Sequence, residues 1–146
     1  MHVERILDQA RQRLVIVDAL ASIRDGAGMM SKPGADMLVV CNSGVMVGVI
    51  TKTDIVLQAG RNPESILSSA VKDIMTRDVA FCRATDHLQD VLLTMRKRGL
   101  QRIPAVDAER RPIGVIYGGD ALLCLLNEAE SEDKALREYI SGVGYQ

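Results

Sequence analysis

Gly48-Val49-Ile50-Thr51-Lys52-Thr53-Asp54 returns 66 residues later as Gly114-Val115-Ile116-Tyr117-Gly118-Gly119-Asp120. Each copy is an apolar run that meets a polar turn and then an Asp at the head of a helical stretch: Asp54-Ile55-Val56-Leu57 in the first, Asp120-Ala121-Leu122-Leu123-Cys124-Leu125-Leu126 in the second. An Asp there can cap the free N–H groups of the first helical turn. Working upstream, Met37-Leu38-Val39-Val40 with the turn Cys41-Asn42-Ser43-Gly44 precedes the first copy, and Ile103-Pro104-Ala105-Val106 with Asp107 to Arg111 precedes the second. Further upstream, Ile23, Gly26, Ala27 and Met30 follow the i, i+3, i+4, i+7 spacing of a helix with one buried face, and Leu88, Val91, Leu92 and Met95 repeat it at a shift of 65. The change from 65 to 66 is read as one residue inserted in the helix-to-strand turn before Asp36 and Arg102.

Each unit therefore reads helix, strand, turn, strand, helix, and the chain is a duplicated α/β (α+β) motif whose two copies bury their apolar faces on one another. Residues 1–62 are expected to form the first unit with its N-terminal helix. Residues 63–128 form the second, after the breaker Gly60-Arg61-Asn62-Pro63-Glu64. Residues 129–146 form a helical tail, with Leu136 and Ile140 on a short final helix that packs or covers a dimer face.

The chain has 146 residues, 47% hydrophobic and 25% charged, with a formal net charge of -1. That balance supports a folded domain and offers no broad positive field for nucleic acid. With only 3% aromatic residues, the core must be aliphatic, with Met29, Met30, Met37 and Met46 filling irregular gaps. Cys41, Cys82 and Cys124 are odd in number and widely spaced, and neither a disulfide framework nor a zinc set with His2 and His87 is indicated. No targeting segment or long apolar span is read, so the expectation is a cytoplasmic protein without membrane contact. His87 stands alone and neither Asp has an acid or base neighbour in sequence, which speaks against catalysis.

The stretches Ile74-Met75-Thr76, Arg102-Ile103-Pro104-Ala105-Val106 and Pro112-Ile113-Gly114-Val115-Ile116 through Asp120, matched by Gly48 to Asp54 in the first half, resemble a tandem pair of CBS domains, named after cystathionine β-synthase. The resemblance covers roughly residues 5 to 128. It implies two pseudo-symmetric sheets facing each other, two clefts between them, and a disc-like homodimer. It also implies a regulatory ligand, AMP, ADP, ATP or NAD, or an S-adenosyl compound, and an attached or partner protein that is regulated.

In such sites a Thr or Ser three residues before Asp helps hold the ribose. Thr51 and Asp54 fit that pattern, whereas Tyr117 stands in the Thr position before Asp120. A carboxylate accepts two hydrogen bonds from vicinal hydroxyls, so Asp54 and Asp120 are candidate ribose residues. Helix capping is the competing reading for both. A phosphate is expected near Gly118 and Gly119, where uncovered backbone N–H groups open a helix. Lys52 and Arg77 are the nearest countercharges; Arg96-Lys97-Arg98 equally suits a helix C-terminus. Val15 and Val17, with Val79 and Phe81, lie in the segments set against the base, with core packing as the alternative. The first half is expected to bind more strongly than the second. The rival to nucleotide sensing is a structural or protein-interaction module that has lost its ligand.

Overall fold

A computed structural model describes residues 1–144. Tyr145 and Gln146, the last two positions of the expected tail, lie outside the described residues. The chain opens with a 3-10 turn, Val3–Ile6, and α1, Leu7–Arg13. The first half then runs β1 (Ile16–Asp18), α2 (Ile23–Met30), β2 (Met37–Asn42), β3 (Val45–Thr51) and α3 (Lys52–Arg61). After a 3-10 turn at Ile66–Ser68, the second half runs α4 (Val71–Ile74), α5 (Leu88–Arg98), β4 (Arg102–Val106), β5 (Pro112–Tyr117) and α6 (Gly118–Gly144).

Local chemistry explains most boundaries. Ser22 caps α2 by accepting the Asp25 N–H at 3.1 Å, and the expected face of Ile23, Gly26 and Met30 is buried. Helix α5 stops at Gly99, whose φ of 66° is left-handed. The β2–β3 hairpin turns at Ser43 and Gly44, both at positive φ, which matches the strand twist of a tight hairpin. Two features depart from the sequence reading. β1, only three residues long, pairs in parallel with β2 and was hidden by its brevity. Leu136 and Ile140 belong to no separate helix, because α6 runs on without a Gly or Pro to break it.

The cross-strand pairs also relocate the inserted residue. Met37 pairs with Thr51 and Arg102 with Tyr117, so Met37, not Asp36, is the counterpart of Arg102. The extra residue lies in the second hairpin turn, where Asp107 accepts the N–H groups of Glu109 and Arg111 at 2.9 Å each. The strand Met37–Cys41 is buried throughout, and a strand apolar on both faces carries no alternation to show a one-residue slip.

The leading segment of each half packs on the opposite half. Leu88 N–H donates to Met1 O and Ile23 N–H to Ser69 O, both at 2.8 Å. Consequently Val3, Ile6 and Ala10 join Leu88, Val91, Met95, Ile103 and Ile116 in one core, while Ile66, Val71 and Met75 join Ile23, Leu38 and Ile50 in the other. A third cluster, Met37, Val39, Met46, Val49, Val106 and Val115, lies between the sheets. Two glycines permit this exchange. A Cβ at Gly48 would stand 2.6 Å from Thr76 O, and one at Gly114 would stand 2.7 Å from the Ala10 Cβ.

Candidate functional site

The end of β3 and the start of α3 form one wall of an open cleft of about 780 Å³. Thr51 caps α3, its Oγ1 accepting the Asp54 N–H at 3.2 Å, while Asp54 Oδ2 accepts the Thr51 N–H at 2.9 Å. This reciprocal pair is a capping box. Thr76 Oγ1, arriving from the leading segment of the second half, donates to Asp54 Oδ1 at 3.3 Å. The cleft is continued by Met37, Val49, Val79, Ala80, Leu100 and Pro104, which are apolar, and by Lys52, Arg98 and Arg102, which are cationic.

Asp36 ties two of those cations together, at 2.8 Å to Lys52 Nζ and 2.7 Å to Arg102. The hydrogen bond from Lys52 holds the Asp36 carboxyl below the usual carboxylate range, against some desolvation and with help from the Lys52 and Arg102 charges. Arg102 Nε is buried without a hydrogen-bond partner.

The corresponding place in the second half is filled. Asp120 receives Arg13 through both oxygens, Nε to Oδ2 and NH2 to Oδ1, each at 3.1 Å. That bond raises the Arg13 pKa above its ordinary value, against desolvation. Tyr117 donates its hydroxyl to Gly34 O at 2.8 Å, and the guanidinium carbons of Arg13 and Arg102 lie 4.3 and 4.9 Å from its ring centre.

Of the other residues singled out in the sequence, Lys52 and Val79 line the open cleft. Val17 is buried in the first-half core with Val15 against it. Phe81 packs on the cluster between the sheets and lies near Arg110. Arg77 donates to Lys72 O at 3.0 Å, and the Gly118 N–H is used by Gln101 O at 3.0 Å. Thr76, Asp36, Gln101 and Arg13 were not singled out as site residues. A signal for Arg13 exists in the register: the parallel pairings Val17 with Val40 and Cys82 with Ala105 make Arg13 the counterpart of Asp78. Opposite charges at matched positions mark the two clefts as different.

Among the described residues no helix is long and apolar enough to cross a membrane. Comparison with known proteins matches residues 71–127 to the CBS domain family. An uncharacterized protein of Methanocaldococcus jannaschii is 31% identical over 106 residues, which cover 73% of this chain and 24% of that protein. The L-aspartate semialdehyde sulfurtransferase of the same organism is 30% identical over 100 residues, 68% of this chain and 19% of the enzyme. The chain thus spans less than a quarter of either relative. Among solved structures, the CBS-domain containing protein ATU1752 of Agrobacterium tumefaciens superposes with a TM-score of 0.74 at 24% identity, covering 85% of this chain and 98% of that one. CBSX2 in complex with AMP gives 0.73 at 22%, covering 88% and 98%. The CBS domain pair of protein MJ0100 with 5-methylthioadenosine and S-adenosyl-L-methionine gives 0.70 at 23%, also covering 88% and 98%. Residues 71–127 thus match the CBS domain family, and the fold of solved CBS-domain proteins runs through both repeats.

Proposed function

We propose that the chain is a non-catalytic regulatory module that binds an adenosine-containing nucleotide, AMP, ADP, ATP or NAD, in the cleft beside Thr51 and Asp54. In this reading residues 1–62 and 63–128 are the duplicated units and 129–146 the tail, the module works as a homodimer, and binding is passed to a partner protein. The observation that carries the reading is the join of three chemistries in one cleft. Apolar walls at Val49, Val79 and Pro104 suit a base and Lys52 and Arg98 suit phosphate, while Asp54, hydrogen-bonded to the lining residues Thr51 and Thr76, brings a carboxylate for a ribose diol to the edge of the same cleft. The AMP-bound and S-adenosyl-bound proteins of the same fold support an adenosine ligand.

Asp54 serves two ends at once. As an N-cap partner it fixes the start of α3, and among the described residues it has no ion pair, so its charge remains available to ligand hydroxyls. The Asp54 and Asp36 carboxylates are each held in place by hydrogen bonds.

A thermal-shift panel of AMP, ADP, ATP and NAD tests the proposal. A ligand that binds only the folded state raises apparent stability by about 2.7 kcal/mol at a hundred times its Kd. A rise with one of the four is expected. No rise with any of them at millimolar concentration would favour the rival interaction module, whose supporting observation is the exposed apolar surface of Leu122, Leu123 and Leu126.

A further inference from the structure

We propose that Arg13 is a built-in ligand of the second cleft: its guanidinium holds the Asp120 carboxylate and covers the Tyr117 ring, so the chain takes one nucleotide instead of two. This inference rests on the nucleotide reading of the first cleft.

Three polar features of the second half are already engaged from within the chain. Both oxygens of Asp120 accept from Arg13 at 3.1 Å, and the Asp120 side chain is only 16% exposed. The Tyr117 ring lies beneath Arg13 and Arg102, and its hydroxyl is anchored on Gly34 O. The Gly118 N–H is spent on Gln101 O, as the Lys52 N–H is on Asp36 O in the first half. A two-point guanidinium–carboxylate pair is among the strongest charge-assisted arrangements, and a ribose diol would have to displace it without bringing a charge of its own. A base stacking on Tyr117 would have to displace the same group.

The first half lacks the guanidinium and the ring of this device. Its counterpart of Arg13 is Asp78, an acid whose side chain is 99% exposed and reaches Arg98 at 3.9 Å. Its counterpart of Tyr117 is Thr51, which has no ring to cover. The cleft there is open, with Asp54 touched only by neutral donors. Arg13 sits at the end of α1, and it is Val3, Ile6 and Ala10 that fix this segment in the core. Removing its guanidinium therefore frees the second cleft without removing its walls.

The test is calorimetric titration with AMP of the full chain and of Arg13→Ala, with circular dichroism to establish folding. The wild type is expected to bind one AMP per chain, weakened roughly ten- to hundredfold in Asp54→Ala. Arg13→Ala is expected to bind two, the added one surviving in R13A/D54A and vanishing in R13A/D120A. Arg13→Gln, close in length and uncharged, should behave like Arg13→Ala and serves if the alanine variant is poorly folded. Two sites in the wild type, or one site in folded R13A and R13Q, would overturn the latch while leaving the first cleft intact. A wild type that binds nothing beside an R13A that binds one AMP through Asp120 would uphold the latch and overturn the first-cleft assignment. No binding by either protein, or failure of both Arg13 variants to fold, would overturn the latch.

Discussion

Asp36 joins Lys52 and Arg102 at the mouth of the open cleft, and its carboxyl is held below the usual range first by the Lys52 hydrogen bond. A depressed folded value stabilises the native state fully above the unfolded value, about 3.9 for Asp, and the gain is lost as pH falls through the lower folded value. Melting temperature should therefore drop more steeply for the wild type than for Asp36→Asn between about pH 5 and 3. Parallel curves would show that the triad contributes nothing. Cys82 is held in the opposite sense. Burial, with a smaller effect from Asp86, pushes its thiol up to about 12, so at neutral pH it carries almost no thiolate. Iodoacetamide should label the half-buried Cys124 in the native protein and reach Cys82 only after unfolding. Equal labelling of both without denaturant would contradict the packing around Cys82. At this scale the sequence is legible where chemistry is local. Thr51 and Asp54 stand three apart, which is itself the geometry of a helix start. Arg13 and Asp120 are separated by 107 positions, and only the packing of α1 against β5 brings them together.

Helices α2 and α5 were legible because each buries one periodic face, and β2 to β5 because each is a short apolar run ended by a turn. The exchange of leading segments was not, since Val3, Ile6 and Ala10 look the same in sequence whichever half they cover. Its signature is the glycine pair. Gly48 faces the backbone of Thr76 and Gly114 that of Ala10, so an added methyl must push main chain aside. Gly48→Ala and Gly114→Ala should each destabilise by about 1–3 kcal/mol, as over-packing does, seen as an earlier midpoint in urea unfolding. An unchanged midpoint for both would mean that the leading segments do not lie this close. The misplaced insertion has the same kind of origin, because a slip along a doubly buried strand exchanges one apolar residue for another.

On the scale of the whole molecule, apolar side chains remain uncovered on equivalent helices. Val56 and Leu57 of α3 are 68% and 56% exposed, and Leu122 and Leu123 of α6 are 52% and 60% exposed. Exposed large apolar side chains of this kind suit an association surface. The α5 stripe contributes little to it, since Leu88, Val91 and Met95 are consumed by the core. Light scattering should therefore report a dimer in the micromolar range, and Leu123→Glu should shift it to a monomer of 15.9 kDa. A wild type that stays monomeric would contradict this assembly. The central claim concerns what enters the open cleft, and titration of AMP into wild type and Asp54→Ala, both shown to be folded, tests it most directly. One site per chain of micromolar affinity is expected, with a loss of roughly ten- to hundredfold, or about 1.5 to 3 kcal/mol, on removing the carboxylate. Equal affinity in the two proteins would contradict it.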